Sequence, residues 1–389
     1  VPLVPSFLPS DNPRRNEIRL TSRGLIESSC TLLMNGVPLA NPWDDSFTLS
    51  EFMINQVSKV EFIPQGTDIS SFTTGEGGSI NIITAPTSKE PLYKLGFSVG
   101  NNQLLNIRAG FRRGFGKVNT RVGLTHFTYD GYIANTDRQA TNLNLSAKMG
   151  GLTFTGDYLT EEKGSWGNKP GEARRWPYYN KLLSSLSYNF KLNSRTNFIT
   201  RAFYQRWDNK LVTYADSTLS EQKWNSIHHN YALGGELAGN ILLGSNHILS
   251  FGLMGRQKAM NTTNEGEKNL ITGTTFIRDF IRFNPVYSLL LGARLNGITD
   301  YKPHPSFEAG ITLKPIDWGQ LSLSYLNTVR FPALRERYDE FLEDGTHANS
   351  ELKPTTSNRG EVSVKLYPID PLKITIAPVS YTHLTLPTN

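Results

Sequence analysis

The sequence predicts an antiparallel all-β transmembrane barrel, present in part, behind a small mixed N-terminal domain. Three observations carry that expectation. From about residue 92 onward, apolar and polar residues alternate in runs of about ten, the length that crosses a bilayer at a tilt. The connections between those runs alternate between tight and long. No run of 18 or more apolar residues occurs in the 389-residue chain, so the crossing elements cannot be helices.

The first ninety residues read differently from the rest. Ile18-Arg19-Leu20 and Thr31-Leu32-Leu33-Met34 are strand-like, and Asn35-Gly36 separates the second from Val37-Pro38-Leu39. An Asn-Gly pair between apolar runs is a strong hairpin signal, because both residues tolerate positive φ. Residues 57–63 alternate, and Ser79-Ile80-Asn81-Ile82-Ile83-Thr84 is a further strand entered through Gly75, Gly77 and Gly78. Pro86 and Pro91 mark the end of this domain.

Beyond it, Leu105, Ile107, Ala109 and Phe111 alternate with Asn106, Arg108, Gly110 and Arg112. Leu143, Leu145, Ala147 and Met149 alternate with Asn144, Ser146, Lys148 and Gly150, and Val362, Val364 and Leu366 with Ser363, Lys365 and Tyr367. Arginine and lysine on the second face require water there. Tight turns are expected at 114–116, 150–151, 192–194, 243–246, 284–285 and 315–317. Long polar segments fall between them at 130–140, 161–180, 208–225, 258–272, 296–303 and 328–357. Short turns at one rim and long loops at the other are the habit of outer-membrane barrels, here with about fifteen strands. Phe127, Tyr129, Tyr158, Tyr188, Phe190, Tyr204, Trp207 and Tyr325 near strand ends read as girdles at the water–lipid boundaries.

Bulk composition is compatible with this. Only 38% of residues are hydrophobic, and the mean hydropathy is −0.36. A barrel hides its apolar residues by alternation. The formal charge of +6 is mild, suiting anionic lipid or an anionic ligand and not nucleic acid. The single cysteine, Cys30, excludes an internal disulfide framework and reads as a small buried hydrophobe. His228 and His229 are adjacent and would point to opposite faces of a strand, a poor metal pair. Asp44-Asp45 and Glu161-Glu162 read as solvated loops. No catalytic residue, metal site or cofactor is expected.

Two groups of residues carry a family resemblance. Leu32 through Leu39, with Asn35 and Gly36, then Val60-Glu61-Phe62-Ile63, then Gly77-Gly78-Ser79-Ile80-Asn81-Ile82-Ile83-Thr84, resemble the plug domain of TonB-dependent outer-membrane receptors, with Arg23-Gly24 matching an upstream Arg-Gly. Phe331-Pro332-Ala333-Leu334, Glu336, Tyr338, Asn349, Leu352-Lys353-Pro354 and Glu361 resemble a region of that family's barrel. Pro64-Gln65-Gly66, Ser71-Phe72 and Thr355 depart from the family's pattern. The resemblance implies a mixed α+β plug over residues 1–88 and a barrel over 89–380, both partial. It implies a family barrel of 22 strands, a plugged lumen and energy delivered by TonB through an N-terminal box. That box, a signal peptide and the last strands are expected outside this chain, and residues 381–389 read as a non-native tail.

The expected role is uptake of a scarce nutrient, foremost a ferric siderophore, with lipopolysaccharide and outer-membrane lipid as neighbours. Lys169, Arg174, Arg175, Trp176, Tyr178 and Tyr179 form a basic, aromatic cluster suited to an anionic chelate, or equally to lipopolysaccharide phosphates. Cobalamin and oligosaccharides are alternatives within the class. A soluble or secreted all-β adhesin or carbohydrate-binding protein is the competitor outside it, and predicts strands of about five residues.

Overall fold

The computed structural model describes residues 7–12, 17–22, 30–51, 57–63, 78–167, 171–339, 348–369 and 372–384. Arg23, Gly24, Gly75, Gly77 and Lys169, together with Pro64-Gln65-Gly66 and Ser71-Phe72, lie outside the described residues.

The N-terminal part holds a hairpin of β1 (Phe7–Asn12) and β2 (Glu17–Ser22). A four-stranded sheet follows, made of β3 (Thr31–Met34), β4 (Val37–Pro38), β5 (Val57–Ile63) and β6 (Ser79–Thr84), in the order β4-β3-β6-β5. β3 and β6 run parallel and the other pairs antiparallel, so the sheet is mixed. Asn35 and Gly36 sit at φ 50° and 81°, the positive values that a two-residue hairpin turn demands. Among the described residues the only helical turn of this part is a 3-10 turn at Leu49–Glu51.

The remainder is one 16-stranded sheet. Its strands are β7 (Leu92–Val99), β8 (Leu105–Phe115), β9 (Val118–Tyr129), β10 (Arg138–Met149), β11 (Leu152–Trp166), β12 (Ala173–Asn193), β13 (Thr196–Tyr214) and β14 (Gln222–Leu243). They continue through β15 (His247–Thr262), β16 (Gly266–Arg282), β17 (Tyr287–Ile298), β18 (Tyr301–Ile316), β19 (Gly319–Arg330), β20 (Thr355–Ile369), β21 (Leu372–Ile376) and β22 (Val379–Leu384). Each strand from β7 to β20 pairs antiparallel with the next, and β21 and β22 both pair with β20.

Alternation sorts the side chains as expected. Leu95, Phe97, Leu253 and Ile277 stand outward, 84%, 73%, 60% and 51% exposed, where lipid would cover them. Asn144, Gln205, Asn230 and Asn296 face inward and are buried. A polar interior around a packed domain is the reverse of a soluble sandwich. The turn rim carries a run of ring contacts, Tyr188 on Phe190, Phe190 on Phe198 and Phe198 on Phe251.

Loop lengths are the main correction. The turn rim falls where expected, at 116–117, 150–151, 194–195, 244–246, 283–286 and 317–318. At the other rim the strands run on, and 161–180 is no loop but the upper part of the β11–β12 hairpin, leaving 167–172 as the connection. Likewise 258–272 reduces to 263–265, and 296–303 to 299–300. β14 has 22 residues, about 70 Å at roughly 3.3 Å each, against the 9–11 that a tilted strand needs to cross. Above the membrane no lipid enforces an apolar face, so the period-two signal fades while the hydrogen-bond ladder continues. The longest connection, 331–354, carries helix α1 (Leu334–Tyr338).

The N-terminal domain sits against the inner face of this sheet. Cys30, Leu32, Val37, Leu39 and Ile80 form one apolar cluster with Leu183 of β12 and Phe203 of β13. Burying each large apolar side chain contributes roughly 1.5–3 kcal/mol. Cys30 packs there as a small hydrophobe. Trp207 belongs to this interior and not to a lipid girdle, being 1% exposed under Lys181.

Candidate functional site

Inward-facing side chains of β11–β14 and the plug segment 41–51 enclose a chamber of about 170 Å³. It lies toward the rim with the extended strands, since its barrel residues Lys163, Trp176, Trp207 and His228 all stand in the upper parts of their strands. A β-bulge positions two of its walls. β12 shifts register between Arg175 and Tyr178, an extra residue that re-aims side chains. The phase therefore changes at Trp176-Pro177, and Trp176 above the bulge and Tyr179 below it both reach the chamber.

The expected binding cluster is partly assembled here. Trp176 and Tyr179 line the chamber, with the Lys163 ammonium 5.5 Å and 4.5 Å from their ring centres. Tyr179 donates to Glu51 at 2.9 Å. Arg174 is buried on the inner side of the same strand. Arg175 forks onto Asp137, its Nη2 at 2.8 Å from Oδ2, and Tyr178 is half-buried beside the bulge; neither lines the chamber. These are strand residues, not the loop residues the sequence suggests.

Several walls were not legible in the sequence. Trp43 of the plug meets His228 of β14 with ring centres 4.8 Å apart. The Trp43 Nε1 and His228 Nδ1 atoms are both shielded from solvent and have no hydrogen-bond partner. His229 points outward to Asp208, as adjacency in a strand requires, and no cluster of metal-ligating residues occurs among the described residues. Glu161 corrects its expectation as a solvated loop residue: it is 2% exposed and held by Arg138 and Lys163.

Asp44 and Asp45 are also no solvated loop. Asp45 forms an ion pair with Lys258 of β15, and Glu51 with Lys181 of β12 at 3.0 Å. Burial pushes the Asp45 carboxyl up, but Lys258 and Arg256 more than reverse it and hold it below its ordinary value. Glu51 behaves alike: burial raises it, and Lys181 and Lys163 bring it below. Asp44 lacks such a partner, and burial leaves it raised despite two bonds from Ser46.

Beside the apolar cluster with Leu183 and Phe203, further polar ties hold the plug. Arg201 of β13 bonds the Gly36 carbonyl at 3.2 Å and Glu236 at 2.7 Å, and Gln205 donates to the Pro38 carbonyl. On the turn-rim side a second, polar chamber of about 450 Å³ opens between Asn35, Gly36 and Arg201. The motif residues of the plug serve it internally. Thr84 N donates to Asn35 Oδ1 at 3.0 Å, Gly36 N to Asn81 Oδ1 at 3.0 Å, and Asn81 Nδ2 to Glu61 Oε2 at 3.2 Å. Gly78 takes φ 97° before β6.

The barrel motif residues organise the longest connection. Glu336 accepts from Ala333 N at 2.8 Å and from Arg330 at 2.7 Å. Phe331 and Tyr338 both pack against the buried cluster of Met260, Leu270, Ile298 and Leu334, while Pro332 lines a cavity beside the plug. Asn349 N donates to the Glu336 carbonyl, Leu352 N to that of Asn349, and Tyr301 donates to the Leu352 carbonyl at 2.6 Å, just before Pro354. Glu361 pairs with Arg359 on β20.

A membrane-type barrel sheet filled by a polar-tethered domain, with chambers on both sides of it, defines a plugged outer-membrane barrel. Residues 92–377 match the family described as TonB dependent receptor-like, beta-barrel, and the chain belongs to that family. The fold is shared with the siderophore receptor PirA of Acinetobacter baumannii, at a TM-score of 0.75 and 12% identity, over 97% of this chain and 66% of that one. It is shared with the copper transporter OprC at 0.75 and 14%, over 97% and 67%. For the ferric citrate transporter FecA the values are 0.66 and 12%, over 93% and 64%. A stretch of 71 residues is 38% identical to the hemoglobin and hemoglobin-haptoglobin-binding protein B of Haemophilus influenzae. That stretch is 18% of this chain and 7% of that protein, and the chain spans about two-thirds of the solved structures.

Proposed function

We propose that the receptor carrying this chain takes up an iron chelate, foremost a ferric siderophore, across the outer membrane with energy delivered by TonB. The observation that carries the reading is the outer chamber, built jointly by plug and barrel and holding two unpartnered polar nitrogens, on Trp43 and His228. At about 170 Å³ it is smaller than the roughly 300–1,000 Å³ of ordinary ligand pockets. It therefore takes one edge of a chelate whose body rests among the extended strands above. A ligand that bridges Trp43 and barrel residues has differential affinity for plug positions, which is what a transport signal requires. The polar plug contacts suit a domain that must loosen without unfolding the barrel.

Haem is a second reading, favoured by the local similarity to the haemoglobin-binding protein and by the His228 Nδ1, which has no hydrogen-bond partner. The test is uptake of radiolabelled iron from ferric hydroxamate and ferric catecholate probes by cells producing the full-length receptor, with and without TonB. Accumulation only in TonB-competent cells supports the siderophore reading. Growth on haem without uptake of either probe favours the second. Equal accumulation with and without TonB overturns both.

A further inference from the structure

A third chamber, of about 110 Å³, lies between plug strands β3–β4 and barrel strands β15–β19, apart from the outer one. Its lining carries Arg256, Lys258, Arg294 and Arg330 against a single carboxylate, Asp45. Asp45 is engaged by Lys258, and Glu336 behind the wall holds Arg330 at 2.7 Å. Arg256 acts on Asp45 by charge but forms no hydrogen bond to it. Its Nη2 reaches only the neutral Gln205 Oε1, at 3.3 Å, and its Nε is shielded from solvent with no hydrogen-bond partner. Arg294 donates Nε to Asn296 Oδ1 at 2.6 Å and Nη2 to Thr274 Oγ1 at 3.3 Å. The rest of the wall offers hydroxyls, such as that of Thr272.

A shielded guanidinium without its full set of acceptors is costly to keep, and the fork of Arg matches the oxygens of a carboxylate or phosphate. We propose that this chamber is an oxyanion-binding site beside the plug, with Arg256 and Arg294 as its donors and Lys258 adding charge. It would hold a carboxylate or phosphate group partway along the gap between plug and barrel wall, where a solute leaving the outer chamber would travel. The proposal does not depend on which solute the outer chamber takes.

The test uses the full-length receptor purified in detergent, titrated at low salt with citrate and with inorganic phosphate, and crystals soaked in selenate. Expected are saturable binding of at least one anion, an anomalous selenium peak within reach of Arg256 and Arg294, and at least tenfold weaker binding in the R256Q/R294Q double variant. R256K, which keeps the charge, should lose less than tenfold. Unchanged gel mobility before heating confirms that each variant is folded. Preference for citrate assigns the site to carboxylates of a passing solute, and preference for phosphate to the free ion. No selenium peak in the chamber, or equal affinity in the folded double variant, overturns the proposal.

Discussion

Lys181 of the barrel and Glu51 of the plug meet at 3.0 Å with both side chains nearly out of solvent, 6% and 7% exposed. Tyr179 adds a second bond to the same carboxylate, and the Lys181 ammonium lies 4.9 Å from the centre of the Trp207 ring. One plug side chain is thus held by two strand residues two positions apart on one face. These buried charges add to the apolar cluster that joins the plug to Leu183 and Phe203 of the barrel.

Removing one partner of a buried pair strands the other. Glu51→Gln is expected to weaken plug attachment, by at most about 3–5 kcal/mol, because the buried Lys181 loses the Glu51 carboxylate. The paired replacement Glu51→Leu with Lys181→Met should cost far less. Hydrogen exchange of residues 41–51 in the folded receptor measures both, and equal exchange in the single and paired variants would contradict the assignment.

Plug attachment should depend on pH with a definite sign. Asp45 and Glu51 are depressed in the folded state, so their contribution is complete above the ordinary carboxyl range and is lost as pH falls through and below about 4. Asp44 is raised, so it works the other way, costing stability as pH climbs above that range. Protection of 41–51, taken as exchange relative to the intrinsic amide rate at each pH, should hold steady from neutrality to about pH 5 and fall below about 4. Asp44→Asn should leave attachment unchanged or firmer at neutral pH.

Gly36 combines φ 81° with a Cβ position 2.8 Å from the Arg201 guanidinium. Gly36→Ala should cost at least roughly 1–2 kcal/mol for the left-handed backbone alone, and more if Arg201 is pushed from Glu236. Gly116→Ala is the control, with φ 60° and open space around it. Denaturant unfolding of the two variants should separate them, G36A being the less stable.

Glu336 closes the first turn of α1 onto Ala333 and holds Arg330. Glu336→Ala should cost about 0.5–2 kcal/mol, the scale of a lost helix cap, and confine its effect to the end of β19 and the connection that follows it. Faster exchange there without a lower global unfolding midpoint is the expected result.

The sequence made the fold legible because lipid imposes a strict rule. Outward positions such as Leu253 and Ile277 must be apolar, and the turn at Gly150-Gly151 falls where the alternation stops. The same rule explains what was missed. Above the membrane water wets the outer face, so Arg174 through Tyr179 lost the alternating pattern and read as a loop while remaining in the β12 ladder. The chamber was half legible. Trp176 and Tyr179 stood out as aromatics beside basic residues, but Trp43, Trp207 and His228 meet them only through the docking of plug on barrel. Asp45 and Glu51 gave no signal, since their partners lie 213 and 130 residues away.

The Glu51 and Asp45 tethers hold the plug in place against the barrel wall. Conductance of the full-length receptor in planar bilayers under rising urea tests it most directly. The unaltered receptor should stay closed up to a threshold, and E51Q/D45N should open at a distinctly lower one, with the barrel still inserted. Equal thresholds, or an open channel without urea in the unaltered protein, would contradict it.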